Sequence, residues 1–297
     1  MQKIFTINGL AATLNNGAKI VGPSFPSKFL KLRYTDGIDP RTASRVTGSF
    51  VQLSSSPNIW IWIYNNTNWE SAFNSKNYSS ELLEVIDGSA SGVTNMSHMF
   101  SLCSSLTAIS ISNTSSCTDM HNMFAWCYSL SSISLLDTSS VTRMDRMFAG
   151  CTALASVPLF NTSNVTYMYN MFEDCTSLTT VPLFNTSNVT DMSKMFNNCT
   201  SLTSVPVFDT SLCEDMGSMF NNCSSLTSVP LLNTSSCTDM RYMFAWCYKV
   251  KSGALALYQQ ASSQTTPPTS HGHAFSGCGR DTTTGAAELA QIPFGWQ

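Results

Sequence analysis

The stretch NVTDMSKMFNNCTSLTSVPVFDTS, residues 188–211, decides the fold. Met192, Met195, Phe196 and Cys199 stand at i, i+3, i+4 and i+7, a spacing that predicts one face of a short helix. Thr190, or Ser187 just upstream, can cap it. Leu202, Val205 and Val207 then follow as L-x-x-V-x-V, which predicts a strand, and Asp209-Thr210-Ser211 turns the chain back.

The same phrase runs outward in both directions. Met-Phe pairs fall at 99/100, 123/124, 147/148, 171/172, 195/196, 219/220 and 243/244, a strict period of 24. A further Met precedes each pair by three residues, from Met96 to Met240, so fourteen of the 15 methionines belong to this pattern. Cys103, Cys127, Cys151, Cys175, Cys199, Cys223 and Cys247 follow the pairs. Leu106 to Leu226 come three later, with Val250 in the last copy. A period of this length means a solenoid or array. One short helix and one parallel strand per unit, stacked at about 4.8 Å, predict an α/β solenoid of the leucine-rich-repeat kind.

Degenerate copies flank the regular ones. Trp69-x-x-Ala72-Phe73 repeats M-x-x-M-F, and Leu82-x-x-Val85 follows it. His271-x-x-Ala274-Phe275-x-x-Cys278 repeats the helix phrase, and Leu289-x-x-Ile292-Pro293-Phe294 repeats the strand phrase. The insertion GALALYQQASSQTTPP (253–268) is expected to be partly helical. Residues 1–68 are not repeats. Phe29 to Tyr34 alternate, Trp60 to Tyr64 are β-rich, and Asp36-Gly37, Asp39-Pro40, Ser56-Pro57 and Asn65-Asn66 mark turns between them. The expected organisation is an N-terminal β module (1–68) and a solenoid (69–297). The solenoid divides into a capping coil at 69–88, seven regular coils over about 89–255, and a helical insertion with a second capping coil at 256–297.

The repeat resembles the BspA-like leucine-rich-repeat family of bacterial surface proteins, whose units run N-V-T-x-M-x-x-M-F-x-x-C-x-x-L-x-x-(V/L). The resemblance covers about 85–297. The terminal phrase GALALYQQAS…PPTSH…FSGCGRDTTTGAAELAQIPFGW is also similar to the ends of such arrays encoded by phages and prophages of gut bacteria. The family implies adhesion and surface recognition without enzymatic chemistry. Residues 1–20 carry no lipid-accepting Cys and make a poor export signal, so a virion surface component (a fibre or decoration protein) is the expected role. A bacterial cell-surface adhesin is the alternative, and a capsule depolymerase the third reading.

Composition limits the partners. The 297 residues carry 15 Lys+Arg and 18 Asp+Glu, too sparse a basic footprint for a general nucleic-acid binder. Ser, Thr and Asn make up a third of the chain, yet 17 Phe and 15 Met require a packed core. No apolar run reaches the roughly 20 residues of a membrane span. Charge is divided: residues 1–68 carry +5 and the remainder −8. That division suggests attachment through 1–68, to another virion protein, and target recognition by the array. The target is expected to be a host-surface glycan or protein, and a homo-oligomer is possible by the same reading.

Chemistry-bearing residues mostly fall in structural slots. Eight cysteines occupy the core position, and Cys117, Cys213 and Cys237 alternate with Val93, Val141, Val165 and Val189, as buried free thiols would. His271-Gly272-His273 lacks nearby acids, and His98 and His121 fall in outward slots. The Asn/Asp row from Asn113 to Asn233 reads as a hydrogen-bonded turn ladder; the glycine-rich calcium nonapeptide is absent. No G-x-S-x-G, H-E-x-x-H or P-loop occurs, and no cofactor or metal is expected.

The candidate binding surface is therefore drawn from the variable slots. With Leu and Val inward in L-x-x-V-P-L-F, the last position faces out, aligning Leu136, Phe160, Phe184, Phe208 and Leu232; a twist of the strand would instead turn these into the core. A second strip holds the residues between the paired methionines, among them Asp145/Arg146, Tyr169/Asn170, Ser193/Lys194 and Arg241/Tyr242. Beside the core cysteines stand Trp126, Tyr128, Trp246 and Tyr248. Tyr169, Tyr242 and these four aromatics complete the candidate set, because exposed aromatics stack on sugars and anchor protein partners.

Overall fold

The computed structural model describes residues 28–42, 48–55, 57–64, 66–73 and 80–297, and the backbone alone of 5–7, 10–13 and 19–20. The side chains of the stretch read for an export signal, those of Lys3, Lys19 and Arg45, and the turn residues Ser56 and Asn65 lie outside the described residues.

Strands β1 (Phe5–Ile7), β2 (Leu10–Thr13) and β3 (Lys19–Ile20) form an antiparallel meander. A second sheet contains β4 (Lys28–Tyr34), β5 (Ser49–Ser55), β6 (Asn58–Ile63), β7 (Leu82–Ala90), β8 (Ala108–Ile109) and β9 (Ser132–Ile133), in the order β5-β6-β4-β7-β8-β9. It is antiparallel as far as β7 and parallel beyond it. Alternation sets its inner face: Leu30, Leu32 and Tyr34 of β4 and Trp60 and Trp62 of β6 are buried. The Asn58 amide locks the turn after β4, donating to the carbonyls of Thr35 (3.0 Å) and Ile38 (2.6 Å) and accepting from Trp60 Nε1 (2.8 Å).

The module does not stop at residue 68. Trp62 meets Trp69 and Phe73 of the first coil edge-on, at 5.1 and 4.9 Å between centroids. One hydrophobic cluster runs from Leu30 to Trp296, and Val51 and Ile61 form a small separate one.

Each coil repeats one backbone path, and it is not the expected helix. In 192–199 the N–H of Met195 donates to Met192 O and that of Cys199 to Phe196 O, while Lys194 and Asn198 sit at φ 55° and 61°. These are tandem type II turns, which need a positive φ at their third residue. The N–H groups of Met192, Lys194, Phe196 and Asn198 all donate to the next coil, at Asp215, Gly217, Met219 and Asn221. A helix would keep those donors for itself; stacking diverts every second one. The i, i+3, i+4, i+7 spacing nevertheless buries its four residues, because two turns in tandem also return the side chains to one face. Parallel bridges continue the ladder from Asn68 through Asn95, Asp119, Arg143, Tyr167, Asp191, Asp215 and Asp239 to Ser270.

The expected strand persists only at the N-terminal end. In β8 and the residues after it Ile109 and Ile111 point inward and Ser112 outward, as L-x-x-V-x-V predicts. From the coil of Leu130 onward the alternation slips: Leu135 is exposed and Leu136 buried. In the next four coils Pro158, Pro182, Pro206 and Pro230 have no N–H for a ladder. The following Phe turns inward instead.

The core is a pair of stacked columns. Nine phenyl rings, from Phe73 through Phe172 to Phe275, lie parallel with centroids 4.9 to 6.1 Å apart. Phe160, Phe184 and Phe208 form a second column against Phe148, Phe172 and Phe196 at 6.0 to 6.2 Å. The cysteine slot has a chemical reason. Phe148 O accepts the Cys151 N–H of its own turn (3.0 Å) and the Cys175 thiol of the next coil (3.1 Å), which fills both lone pairs. All eleven cysteines are free and buried. Thr138, Thr162, Thr186 and Thr210 are buried too, each hydroxyl donating to a carbonyl of the following coil at 2.7 to 2.8 Å.

At the C-terminal end the insertion forms α1 (Ala254–Ser262). The predicted strand phrase 289–294 is not a strand: α2 (Thr283–Leu289), capped by the Thr282 hydroxyl, and a 3-10 turn (Phe294–Trp296) take its place. Gly285 permits this. A Cβ there would stand 2.1 Å from Val250 O, so α2 lies directly against the last coil.

Candidate functional site

The Phe ladder is not a surface. Leu136, Phe160, Phe184, Phe208 and Leu232 are all buried, and the residue before each is exposed instead. The slip described above exchanges the two rows.

The aromatics beside the core cysteines do reach the surface. Trp126 and Trp246 are 37% and 44% exposed and hold φ of 64° and 62°, the left-handed position where other coils carry Asn198, Asn222 or Asp174. A bulky residue in that conformation is an outlier that its surroundings must enforce. Here the repeated turn enforces it: the Cys127 N–H donates to Phe124 O (3.1 Å) and the Trp126 N–H to Ala149 O (2.6 Å). The Trp126 indole lies over Gly150, and Trp246 borders Gly277, each glycine in the equivalent slot of the next coil. One face of the Trp126 ring is therefore covered while the side chain still reaches solvent. Tyr128 stands beside it at 6.3 Å and is half exposed. Tyr248 is less available: the Arg280 guanidinium covers its ring at 4.2 Å. The two Trp/Tyr groups are five coils apart along the array.

The strip between the methionines is mixed. Asp145 and Asn170 are buried, contrary to the expected outward placing. Asp145 accepts Arg143 at 3.0 and 3.1 Å. Tyr169 is half-buried under the Arg146 guanidinium (5.0 Å); burial first, then its hydrogen bond to Asp145, pushes its phenol up. Tyr242 stacks on His273 at 5.1 Å. It also lines a groove of about 220 Å³ with Lys194, Asp215, Gly217, Asp239 and Arg241. Gly217 opens this groove, since equivalent coils carry Ser193, Tyr169 or Arg241 there. Burial, with Asp191 and Asp239 as lesser causes, raises the Asp215 carboxyl, which accepts the Gly217 N–H at 2.8 Å.

The remaining polar slots are occupied by turn chemistry. Asp137, Asn161, Asn185 and Asp209 each accept the N–H and hydroxyl of the serine two residues on. His98 and His121 are not isolated surface residues: their rings meet edge-on at 4.8 Å, and His121 Nδ1 lies 2.6 Å from Asp119 Oδ1. His271 stacks on Trp296 at 4.1 Å, and His273 Nδ1 lies 2.9 Å from the Gln297 carbonyl. Among the described residues no three His, Cys, Asp or Glu stand together as a metal group. No helix among them is long and apolar enough to cross a membrane.

The sequence reading missed two features. One is the pairing of each surface Trp with a glycine in the next coil, visible as Trp126-Cys127 followed by Gly150-Cys151 and Trp246-Cys247 followed by Gly277-Cys278. The other is the exposed aliphatic row, which had been placed inside.

The family model described as "Mycoplasma protein of unknown function, DUF285" matches residues 67–181 and again 154–258. The chain belongs to the DUF285 family. The matched span is the array itself, and its units are BspA-like leucine-rich repeats. No curated protein matches this DUF285 chain. Solved structures similar to it include two leucine-rich repeat proteins. A leucine-rich repeat protein from Eubacterium ventriosum ATCC 27560 is 13% identical, with a TM-score of 0.26 over 84% of this chain and 95% of that one. A leucine-rich repeat protein from Bacteroides ovatus ATCC 8483 is 15% identical, with a TM-score of 0.24 over 77% and 83%.

Proposed function

We propose that this protein is a non-enzymatic adhesion protein of a phage virion surface, a fibre or decoration component whose array meets a host-surface glycan or protein. The observation that carries the binding reading is the pair of strained, half-exposed tryptophans Trp126 and Trp246. Each sits at a left-handed position that asparagine fills elsewhere, and each has an exposed indole. Strain retained at an exposed aromatic favours a recognition role. The likeness of residues 253–296 to the ends of phage-encoded arrays favours the virion over the bacterial cell surface. Attachment through 1–68 belongs to the same reading. Arg33 is already paired with Glu84, which lies outside 1–68, so the charge on offer there is smaller than +5; the Arg41–Asp39 pair is internal to that sum.

The test has two arms. The protein should co-purify with virions and be lacking from the host cell-envelope fraction; the reverse distribution makes it a bacterial surface adhesin. The doubly substituted Trp126→Asn, Trp246→Asn chain should stay folded and lose most binding to host cells. Unchanged binding removes the aromatics from the site, and release of capsule sugars by the wild-type chain makes it a depolymerase.

A further inference from the structure

The strand side of the array exposes one aliphatic residue per coil over five consecutive coils. Leu135, Leu159, Leu183, Val207 and Leu231 are 54% to 63% exposed, in a straight row with the 24-residue period. The ridge is about 20 Å long at about 4.8 Å per coil, and contiguous apolar surface of this kind marks an interaction site.

The composition around the ridge narrows the occupant. Among the 35 residues of 131–137, 155–161, 179–185, 203–209 and 227–233, the only charged ones are Asp137 and Asp209. The opposite, turn side carries Arg143, Arg146, Glu173, Lys194 and Arg241. Depletion of charge around an apolar centre is the composition of a homodimer interface. A β-strand ligand is disfavoured, because Pro158, Pro182, Pro206 and Pro230 offer no N–H to pair with it. Five coils by seven extended residues make a face of about 24 by 23 Å. That is around two-thirds of the roughly 800 Å² each partner contributes to a standard interface.

We infer that this face is the contact between two copies of the chain, packed ridge on ridge about a two-fold axis at Leu183 with the arrays antiparallel. The two aspartates select the direction. Antiparallel pairing sets the Leu135 coil against the Leu231 coil and the Leu159 coil against the Val207 coil. Asp137 then meets Asn233, and Asp209 meets Asn161. Parallel pairing needs the two-fold along the array and reverses the strands, which sets Asp137 against Ile133 and Asp209 against Val205, apolar side chains that give a desolvated carboxylate no hydrogen bond. A two-fold contact also closes on itself and leaves no ridge for a third copy.

Sedimentation of the full chain over a concentration series up to about 100 μM is the first test. The wild type should be a dimer, and Leu183→Glu should raise the dissociation constant at least tenfold while its thermal melt is unchanged. A monomeric wild type, or a Leu183→Glu chain that dimerises as tightly, overturns the inference. The second test does not depend on tolerance of a charge. The native thiols are buried, so an introduced surface cysteine is the one that couples under mild oxidation. Leu183→Cys should couple to its own copy. Leu135→Cys should couple readily only when mixed with Leu231→Cys; rapid self-coupling of Leu135→Cys overturns the antiparallel arrangement.

Discussion

A Cβ on Gly150 would stand 2.2 Å from Cε3 of Trp126, so the indole of one coil occupies the room a side chain in the next would need. Gly150 also holds φ 74°, which a side chain rarely adopts. Gly150→Ala should cost about 1–3 kcal/mol and shift the tryptophan emission. With Trp126→Asn already in place only the backbone term remains, so the loss should shrink by a measurable coupling in a double-mutant cycle. Equal losses in both backgrounds would mean the indole does not rest on Gly150.

Trp126→Asn on its own should leave stability unchanged or raise it by about 1 kcal/mol, because asparagine tolerates the left-handed position. A chemical denaturation midpoint measures this directly. A clear loss would show that packing over Gly150 outweighs the backbone strain.

The core columns set the next expectation. Phe172→Ala should cost about 3–5 kcal/mol, and Phe184→Ala a similar amount, since both rings are buried in stacks. Leu183→Ala, one residue from Phe184 but exposed in the single chain, should stay within about ±0.5 kcal/mol when measured dilute enough for both chains to be monomeric. Urea titrations of the three variants separate the inward row from the outward one.

Thiol reactivity should be low in the native state. Burial pushes Cys117 and Cys237 up to about 12, and drives the cysteines of the core row up by the same cause. An aromatic disulfide reagent at pH 8 should label the native chain slowly and all eleven sites quickly in denaturant. Fast labelling of several native thiols would contradict the burial.

The histidine pair predicts a pH dependence. Burial, then the charge of His121, lowers the His98 imidazole, against the opposing pull of Glu70, Asp119 and Asp145. The unfolded chain therefore protonates first as pH falls below about 6.5, and stability falls from there until the folded chain is protonated too. His98→Asn, suited to the φ of 55° at that position, should flatten the melting temperature between pH 7 and 5. An unchanged slope would place the acid sensitivity elsewhere.

Periodicity made the solenoid and the inward Met, Phe, Cys and Leu rows legible, because the 24-residue register repeats them seven times. The turn conformation was not legible, since two tandem type II turns and a helix bury the same spacing. The slip of the strand row was open rather than hidden. Proline removes ladder donors, and only packing decides that Phe160 stacks on Phe148 while Leu159 stays in water. The surface Trp was visible as a residue, but its dependence on Gly150 lies between coils and needs the stack itself.

Every second N–H of a turn segment is spent on the following coil, and the threonine rows donate backward, Thr190 to Thr166 and Thr203 to Thr179. The turn-side backbone bonds of the internal junctions thus repeat, whereas the last turn segment meets a different acceptor: Phe275 donates to Trp296 O. The array behaves like a rack of identical drawers, in which whole units can be removed or inserted but fractions cannot. A chain lacking 164–187 should close its phenyl column and fold, while one lacking twelve residues from the same place should not. Length in this protein is quantised in steps of 24, and so is the separation between Trp126 and Trp246.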